Sequence, residues 1–357
     1  MARITGVTTA RLVRRLHTPF VTALRRTEHV VSVAVRVSDA DGASGFGEAP
    51  QVWRVTGESC ESVEACVAGP LAEALVGLDP DQEPAGEVGR RLAASVVGNG
   101  GARAAVEVAT LDLLARRTGV SLARFLGADA TSVATDVTIA ADGSAWSPAT
   151  LVAAGFDRAK IKVGLDPADV DRVIAIHRAD PRHPVRIDAN QAWDLASATA
   201  AVEAMVGAGV PLEFVEQPLP AWDLAGHAEL RRRFGVPILL DESVFTVHDL
   251  RRAVAADAAD MVNIKLAKCA GILAGLQIAR EAVDAGLGVM VGSMMESELG
   301  VSAAAALAAV VAPDGVHDLD AAWWSIQPDD AGTPYRDGRF HLSAAPGLSA
   351  AAARSLP

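Results

Sequence analysis

The chain of 357 residues is 50% hydrophobic and 21% charged, with 44 acidic against 32 basic residues and a formal net charge of −12. That length can bury one large core or two of ordinary size, and the acidic balance argues against nucleic-acid phosphates or an anionic membrane surface as partners. The three cysteines, Cys60, Cys66 and Cys269, form no Cys-x-x-Cys pair, and with no export signal at the N-terminus a cytoplasmic protein is expected.

Residues up to about 55 read as β-structure: Val30–Val37 is rich in β-branched residues, and Asp41-Gly42 marks a turn before Gly45-Phe46-Gly47-Glu48. Helices are expected over 59–76 and 102–117, the second carrying Ala105, Val106, Ala109 and Leu113 at helical spacing. Strands first and helices after describe an α+β unit. Gly98-Asn99-Gly100-Gly101 lacks the third glycine of a phosphate-binding loop and reads as the entry to the second helix.

From about residue 130 the pattern changes to short apolar runs, each followed by a helical stretch. The runs are 133–140, 158–163, 184–189, 212–216, 236–241, 260–266, 288–293 and 315–320. Thr138, Lys162, Asp188, Glu216, Asp241, Lys265, Ser293 and Asp318 mark their C-terminal ends at intervals of 24 to 28 residues. A barrel of eight βα units advances roughly 31 residues per unit and carries its chemistry at the C-terminal strand ends, so a compact barrel is expected. An open doubly wound sheet also alternates strand and helix, but would gather its polar strand ends near one switch point. The apolar stretch 299–312 is shorter than the about 20 residues of a bilayer span and reads as a buried helix.

Asp188, Glu216 and Asp241 end three consecutive runs. Adjacent strands lie about 4.8 Å apart, so three carboxylates at one level converge, repel, and raise one another's pKa. A divalent cation resolves this, and with no histidine or cysteine at the strand ends a hard ion, Mg²⁺, is expected. Taken singly, each carboxylate could instead cap the following helix or pair with an arginine. Lys160 and Lys162 flank Ile161 and so share one strand face, while Lys265 ends the sixth run, across the barrel from them. A free lysine, with a pKa near 10.4, is a poor base; the like charge of Lys160 and a metal beside Lys162 would lower it. Two bases on opposite faces of one carbon can invert a stereocentre, with the metal stabilising the enolate-like charge.

Lys160-Ile161-Lys162-Val163-Gly164, Asp188-Ala189-Asn190-Gln191, Val215-Glu216-Gln217-Pro218, Asp241-Glu242-Ser243-Val244-Phe245 and Asn263-Ile264-Lys265-Leu266 stand in order at barrel spacing. Together they resemble the motifs of the enolase superfamily, in its muconate-lactonising subgroup and most closely the dipeptide epimerases. The resemblance implies a (β/α)7β-type modified TIM barrel over 126–320. An α+β capping domain over 1–125 would carry a mobile specificity loop near 17–27, and a C-terminal segment, 321–357, would pack back on the cap. It further implies that Asp188, Glu216 and Asp241 bind one Mg²⁺ per subunit, and that Lys162 and Lys265 are the acid/base catalysts. Lys160 would contact the substrate carboxylate and help tune Lys162.

The same subgroup holds cycloisomerases, o-succinylbenzoate synthases and N-acylamino-acid racemases, so the substrate rests on other residues. Asp318-Leu319-Asp320 resembles the Asp-x-Asp that receives a dipeptide ammonium group, which an acylated amino acid or a muconate lacks. Arg25, in Phe20-Val21-Thr22-Ala23-Leu24-Arg25, resembles the arginine that pairs with the side-chain carboxylate in alanyl-glutamate epimerases. Thr135 and Ser293 match substrate contacts on the first and seventh strands. The resemblance thus implies an isomerase of dipeptides such as L-Ala-L-Glu, a small-molecule substrate and a homo-oligomer. Two departures stand out: Cys269-Ala270-Gly271 replaces the usual Gly-Gly turn and could reshape it, and Val21 replaces a lysine expected beside Thr22. A metal-free Schiff-base aldolase would also place a lysine at a strand end, but gives no reason for three carboxylates in register. Zinc hydrolysis lacks the histidine spacing it needs.

Overall fold

The computed structural model describes residues 3–23, 25–82, 85–140, 155–179, 181, 184–326 and 333–348. Leu24 of the expected specificity loop, and residues 327–332 and 349–357 of the expected C-terminal segment, lie outside the described residues.

The N-terminal unit is an antiparallel sheet of β1 (Ile4–Val21), β2 (Arg26–Asp39) and β3 (Ser44–Pro50), in that order. Alternation in β2 sends Val33, Val35 and Val37 into one core with Leu71, Leu92, Val106 and Ala109, while Val30 and Ala34 join the larger core of the barrel side. The helix Gly100–Thr118 packs directly on β3. Gly45 and Gly47 permit this approach, because a Cβ on either would sit 2.1 Å from a helix carbonyl oxygen. The expected helix over 59–76 is interrupted: Cys60–Cys66 passes into a π-type turn, Val67–Leu71, before Ala72–Leu75. Pro70 lies in that turn and has no amide to continue the α-helical ladder.

All eight expected apolar runs contain a strand. After β4 (Ser132–Thr135) come β5 (Val137–Ile139), β6 (Ala159–Lys162), β7 (Val185–Asp188), β8 (Leu212–Glu216), β9 (Ile238–Leu240), β10 (Met261–Lys265), β11 (Gly288–Gly292) and β12 (Val316–His317). Strands β5 to β11 form one parallel sheet in sequence order. It closes through the eighth run: Gly292 bridges Asp318, and Val316 and His317 pair in parallel with Ala134 and Thr135. After β12 the described chain turns through the 3-10 segment Ala321–Trp324 rather than an α-helix, which makes the architecture a (β/α)7β barrel beneath an α+β cap. The hairpin of β13 (Tyr335–Arg336) and β14 (Arg339–His341) then pairs antiparallel with β4. The described C-terminal chain touches both units, because Ile326 also donates to the Arg15 carbonyl (2.8 Å) and Gly347 to that of Val120 (2.8 Å).

Buried glutamates of the cap seal helix N-termini, whose first amides have no partner of their own. Glu58 accepts from Gly101 and Ala102 at 2.8 and 3.0 Å, which makes Gly98-Asn99-Gly100-Gly101 a helix entry as expected. Glu48 accepts from the amides of Ser297 and Gly300, both at 2.9 Å, at the start of the barrel helix Glu298–Val311. Glu107 accepts from Leu273 (3.2 Å) at the start of Ile272–Asp284. That cap is close: a Cβ on Gly271 would sit 2.1 Å from Glu107. No helix among the described residues is long and apolar enough to cross a membrane.

Candidate active site at the barrel rim

Strand alternation aims Lys160 and Lys162 into the barrel and sends Ile161 to the surrounding core. Register places Lys162 opposite Asp188 and Asp188 opposite Glu216, so β6, β7 and β8 present their charges at one level. Asp241 follows β9 directly, and Lys265 ends β10, three strands beyond β7. Lys162 donates to Asp188, while Lys265 donates to Asp241 at 2.8 Å. The two lysines therefore approach one volume from opposite flanks of the carboxylate set. Both line a cavity between barrel rim and cap. Arg25, Ser293, Asp318 and Asp320 line it too.

The electrostatics follow from burial and from the charges packed around each group. Burial, reinforced by Asp188, raises Glu216 to about 7 even though Lys160 opposes the shift. For Asp241 the burial effect is outweighed by Lys265 and Lys268, which hold it well below the carboxylate range. Lys265 loses by burial but gains more from Asp241 and Asp318, and stays well above the usual amine value. Asp318, buried but beside Lys160 and Lys265, is held at about 2.

Two expected contacts are placed elsewhere. Lys160 does not reach the cavity: it is fully buried, donating to Glu216 (3.0 Å) and Asp318, with Asp188 3.8 Å away. Three carboxylates around one ammonium hold it behind the wall. Thr135 is likewise fully buried; its hydroxyl donates to the Asp136 carbonyl (2.9 Å) and accepts from the Leu319 amide (2.9 Å). The first strand breaks at Asp136, and Thr138 is its residue at the cavity. Of the expected loop near 17–27, residues to Val21 and from Arg26 are strand, and the Thr22 amide donates to the Arg25 carbonyl at 2.9 Å. The Cys269-Ala270-Gly271 departure does not abolish the turn after Lys265. Ala270 adopts the left-handed conformation itself, at φ 68°.

Other residues enter the site without having been assigned a part from the sequence. Glu242 lines the cavity, and burial, with Asp241 and Asp188 nearby, raises it to about 8. Lys268 donates to the carbonyls of Asp241, Val244 (3.1 Å) and Asn263 (3.0 Å), tying the ends of β9 and β10 together. The Lys-x-x-Lys spacing after β10 was the available signal. Gln217, at φ 36°, accepts from the amides of Asp241 (2.9 Å) and Ser243 (3.1 Å) and so fixes the turn that carries Asp241.

The residues present fit a hard divalent cation. Asn190 Oδ1, Asp241 Oδ1, Glu242 Oε2 and Asn263 Oδ1 are buried with no hydrogen-bond donor, Asn190 just after β7, Asp241 and Glu242 just after β9, and Asn263 within β10. Lys268 Nζ comes within 2.6 Å of Asp241 Oδ1, but off hydrogen-bonding geometry. Oxygen ligands without nitrogen or sulfur are the donor set of Mg²⁺. Among the described residues no three acidic, histidine or cysteine side chains form a ready cage, and lysine ammonium groups lie against the carboxylates.

A capped (β/α)7β barrel with carboxylates and opposed lysines at its rim defines an acid/base enzyme class acting on carbon acids. The chain belongs to the mandelate racemase / muconate lactonizing enzyme family: residues 4–127 match its N-terminal domain, and residues 143–355 match the enolase C-terminal domain-like family. Among relatives, the L-amino acid-D/L-Glu epimerase of Francisella philomiragia is 34% identical over 91% of this chain and 92% of its own. The L-Ala-D/L-Glu epimerase of Bacillus subtilis is 35% identical over 97% of this chain and 96% of its own. The substrate-liganded structure of that enzyme has a TM-score of 0.90 and covers 97% of this chain and 98% of its own at 34% identity. A dipeptide epimerase of Enterococcus faecalis, complexed with Mg and L-Leu-L-Tyr, has a TM-score of 0.88 at 30% identity and covers 97% and 99%.

Proposed function

We propose that the chain is a Mg²⁺-dependent dipeptide epimerase that inverts the α-carbon of the C-terminal residue by proton transfer between Lys162 and Lys265. The observation that carries this reading is the approach of those two lysines to one cavity from β6 and β10, on either side of the carboxylate set. One lysine, as the amine, removes the α-proton from its face; the other, as the ammonium, delivers a proton to the opposite face. The reverse assignment runs the inversion back. Asp188, Glu216 and Asp241 would hold one Mg²⁺ per subunit, whose charge offsets that of the substrate carboxylate and carbanion.

The dipeptide ammonium falls to Asp318 and Asp320. Asp320 lines the cavity with Oδ2 fixed by the Thr138 amide (2.6 Å) and the Trp324 indole (2.8 Å), which orients its carboxylate. Ser293 donates its amide to the Asp318 carbonyl (3.0 Å) and lines the same wall. Arg25 faces the second side chain, favouring a substrate such as L-Ala-L-Glu. In this reading Lys160 and Thr135 act from behind the wall, holding Glu216 and Asp318, and the Leu319 backbone, in place. A homo-oligomer in the cytoplasm, with no nucleic-acid or membrane partner, completes it.

Proton NMR in D₂O with Mg²⁺ tests the proposal. L-Ala-L-Glu should lose the α-proton signal of its second residue as the diastereomer appears, and EDTA should abolish both changes. Exchange confined to N-succinyl amino acids would instead mark an N-acylamino-acid racemase and overturn the part given to Asp318 and Asp320.

A further inference from the structure

The loop from Val52 to Gly57 is closed on itself and nailed to the barrel. The Val52 carbonyl accepts from the amides of Val55 (3.3 Å), Thr56 (3.1 Å) and Gly57 (3.1 Å), and the Val52 amide donates to Glu58 (3.1 Å). The Val52 side chain is buried against Ala267 and Met294, which follow β10 and β11, with Val55 alongside. This anchoring decides what the loop presents. Trp53 turns outward, 61% exposed, while Arg54 lines the active-site cavity. Val52, Val55, Met294, Met295 and Phe20 make the neighbouring wall apolar, so the guanidinium is the polar group this loop offers the cavity.

Arg25 enters the same cavity from the β1–β2 turn. Among the described residues neither guanidinium has a hydrogen bond or ion pair from its side chain, although the acidic groups of the rim are held by lysines. A guanidinium cannot discharge by losing its proton. Burial alone, with no compensating carboxylate, lowers the pKa of Arg25. Arg25, half-buried, and Arg54, solvent-exposed, thus put two permanent positive charges on the wall of one cavity, and these favour an anion there.

Resting on the dipeptide-epimerase reading, we infer that Arg54 is a second specificity residue, which together with Arg25 clamps an anionic side chain on the second residue of the dipeptide. The ammonium and the α-carboxylate of the substrate already have places at Asp318–Asp320 and at the lysine–carboxylate centre. The anion met by the two arginines is therefore a third charged group of the ligand. An aliphatic or aromatic side chain would cover both cations without neutralising either. Arg54 also supplies from another loop the positive charge that Val21 does not supply beside Thr22.

The test compares kcat/KM for L-Ala-L-Glu, L-Ala-L-Gln and L-Ala-L-Leu in the full chain with Mg²⁺, followed by NMR. Wild type should favour the glutamate substrate. Arg54→Gln should lower the Glu-to-Gln preference about tenfold, through KM rather than kcat, as loss of one charge-assisted contact does. Arg54→Lys should restore most of that preference. A merely structural loop residue would move both substrates together and leave their ratio unchanged. Glutamate turnover with an unchanged ratio in Arg54→Gln, or a wild type that prefers Leu, overturns the inference while leaving dipeptide epimerisation standing. Failure of wild type on all three dipeptides overturns the functional reading itself.

Discussion

Asp188, Glu216 and Asp241 at the barrel rim, and Glu48, Glu58 and Glu107 in the cap, are carboxylates buried to nearly the same degree. Their partners differ in kind. The cap glutamates face backbone amides at helix starts: Glu58 holds Gly101 and Ala102, Glu48 holds Ser297 and Gly300, and Glu107 holds Leu273. The rim carboxylates each face a lysine as well as one another, although Asp188 also accepts from the Asn190 amide and Glu216 from the Asn263 side chain. An amide cannot ionise near neutral pH or move away, so the cap carboxylates are structural: Glu48 and Glu107 join the cap to barrel helices, and Glu58 holds a helix within the cap. An ammonium can give up its proton and move away, so the rim is poised for chemistry. Helix capping, the plain alternative for any single carboxylate of the triad, does occur in this protein, but other residues perform it.

Replacing a rim lysine is expected to have the largest effect. Lys162→Ala and Lys265→Ala should each lower epimerisation about a thousandfold or more, the scale of a lost acid or base. Each should retain α-proton exchange from one substrate epimer only, and opposite epimers in the two variants. Loss of exchange from both epimers in both variants would mean that the lysines are not on separate faces.

The cap answers to pH instead. Burial raises Glu107 from its usual 4.5 to about 7. The folded state therefore binds this proton more tightly than the unfolded chain, and the stability it confers is complete below the unfolded value. It declines as pH rises through the interval up to the folded value, and is level above it. Glu107→Gln keeps an acceptor for the Leu273 amide but cannot ionise. Relative to wild type it should gain up to about 3 kcal/mol in urea unfolding between acid and mildly alkaline pH. Parallel stability curves would show that Glu107 is not titrating in that window.

The smallest effect is expected where rim and cap meet, in the turn between Lys265 and the helix start sealed by Glu107. Ala270 holds φ 68° there, a conformation that costs a non-glycine residue roughly 1–2 kcal/mol. Ala270→Gly should raise stability by about 0.5–1 kcal/mol after the greater freedom of the unfolded glycine is counted, visible as a higher Tm. No gain would mean that the turn accommodates alanine without strain.

The strands, their order and the convergence of Lys162, Asp188, Glu216, Asp241 and Lys265 were legible from residue types and spacing alone. Strand alternation is a local rule with period two, and a parallel barrel carries equal steps of sequence to equal positions on its rim. Alternation gave the face of Lys160 but not its depth, because depth depends on Glu216 and Asp318, 56 and 158 residues away. Thr135 and Thr138 could not be told apart until the break at Asp136 was seen. Glu107 and Glu48 read as ordinary helix and strand residues, since the amides they seal lie 166 and 249 residues further on. The placing of Arg54 over the cavity likewise depends on Val52 meeting Ala267 and Met294. Local periodicity determined which residues share a face; only the closed barrel and its seated cap decided which partner each buried charge meets, because those partners come from distant parts of the chain.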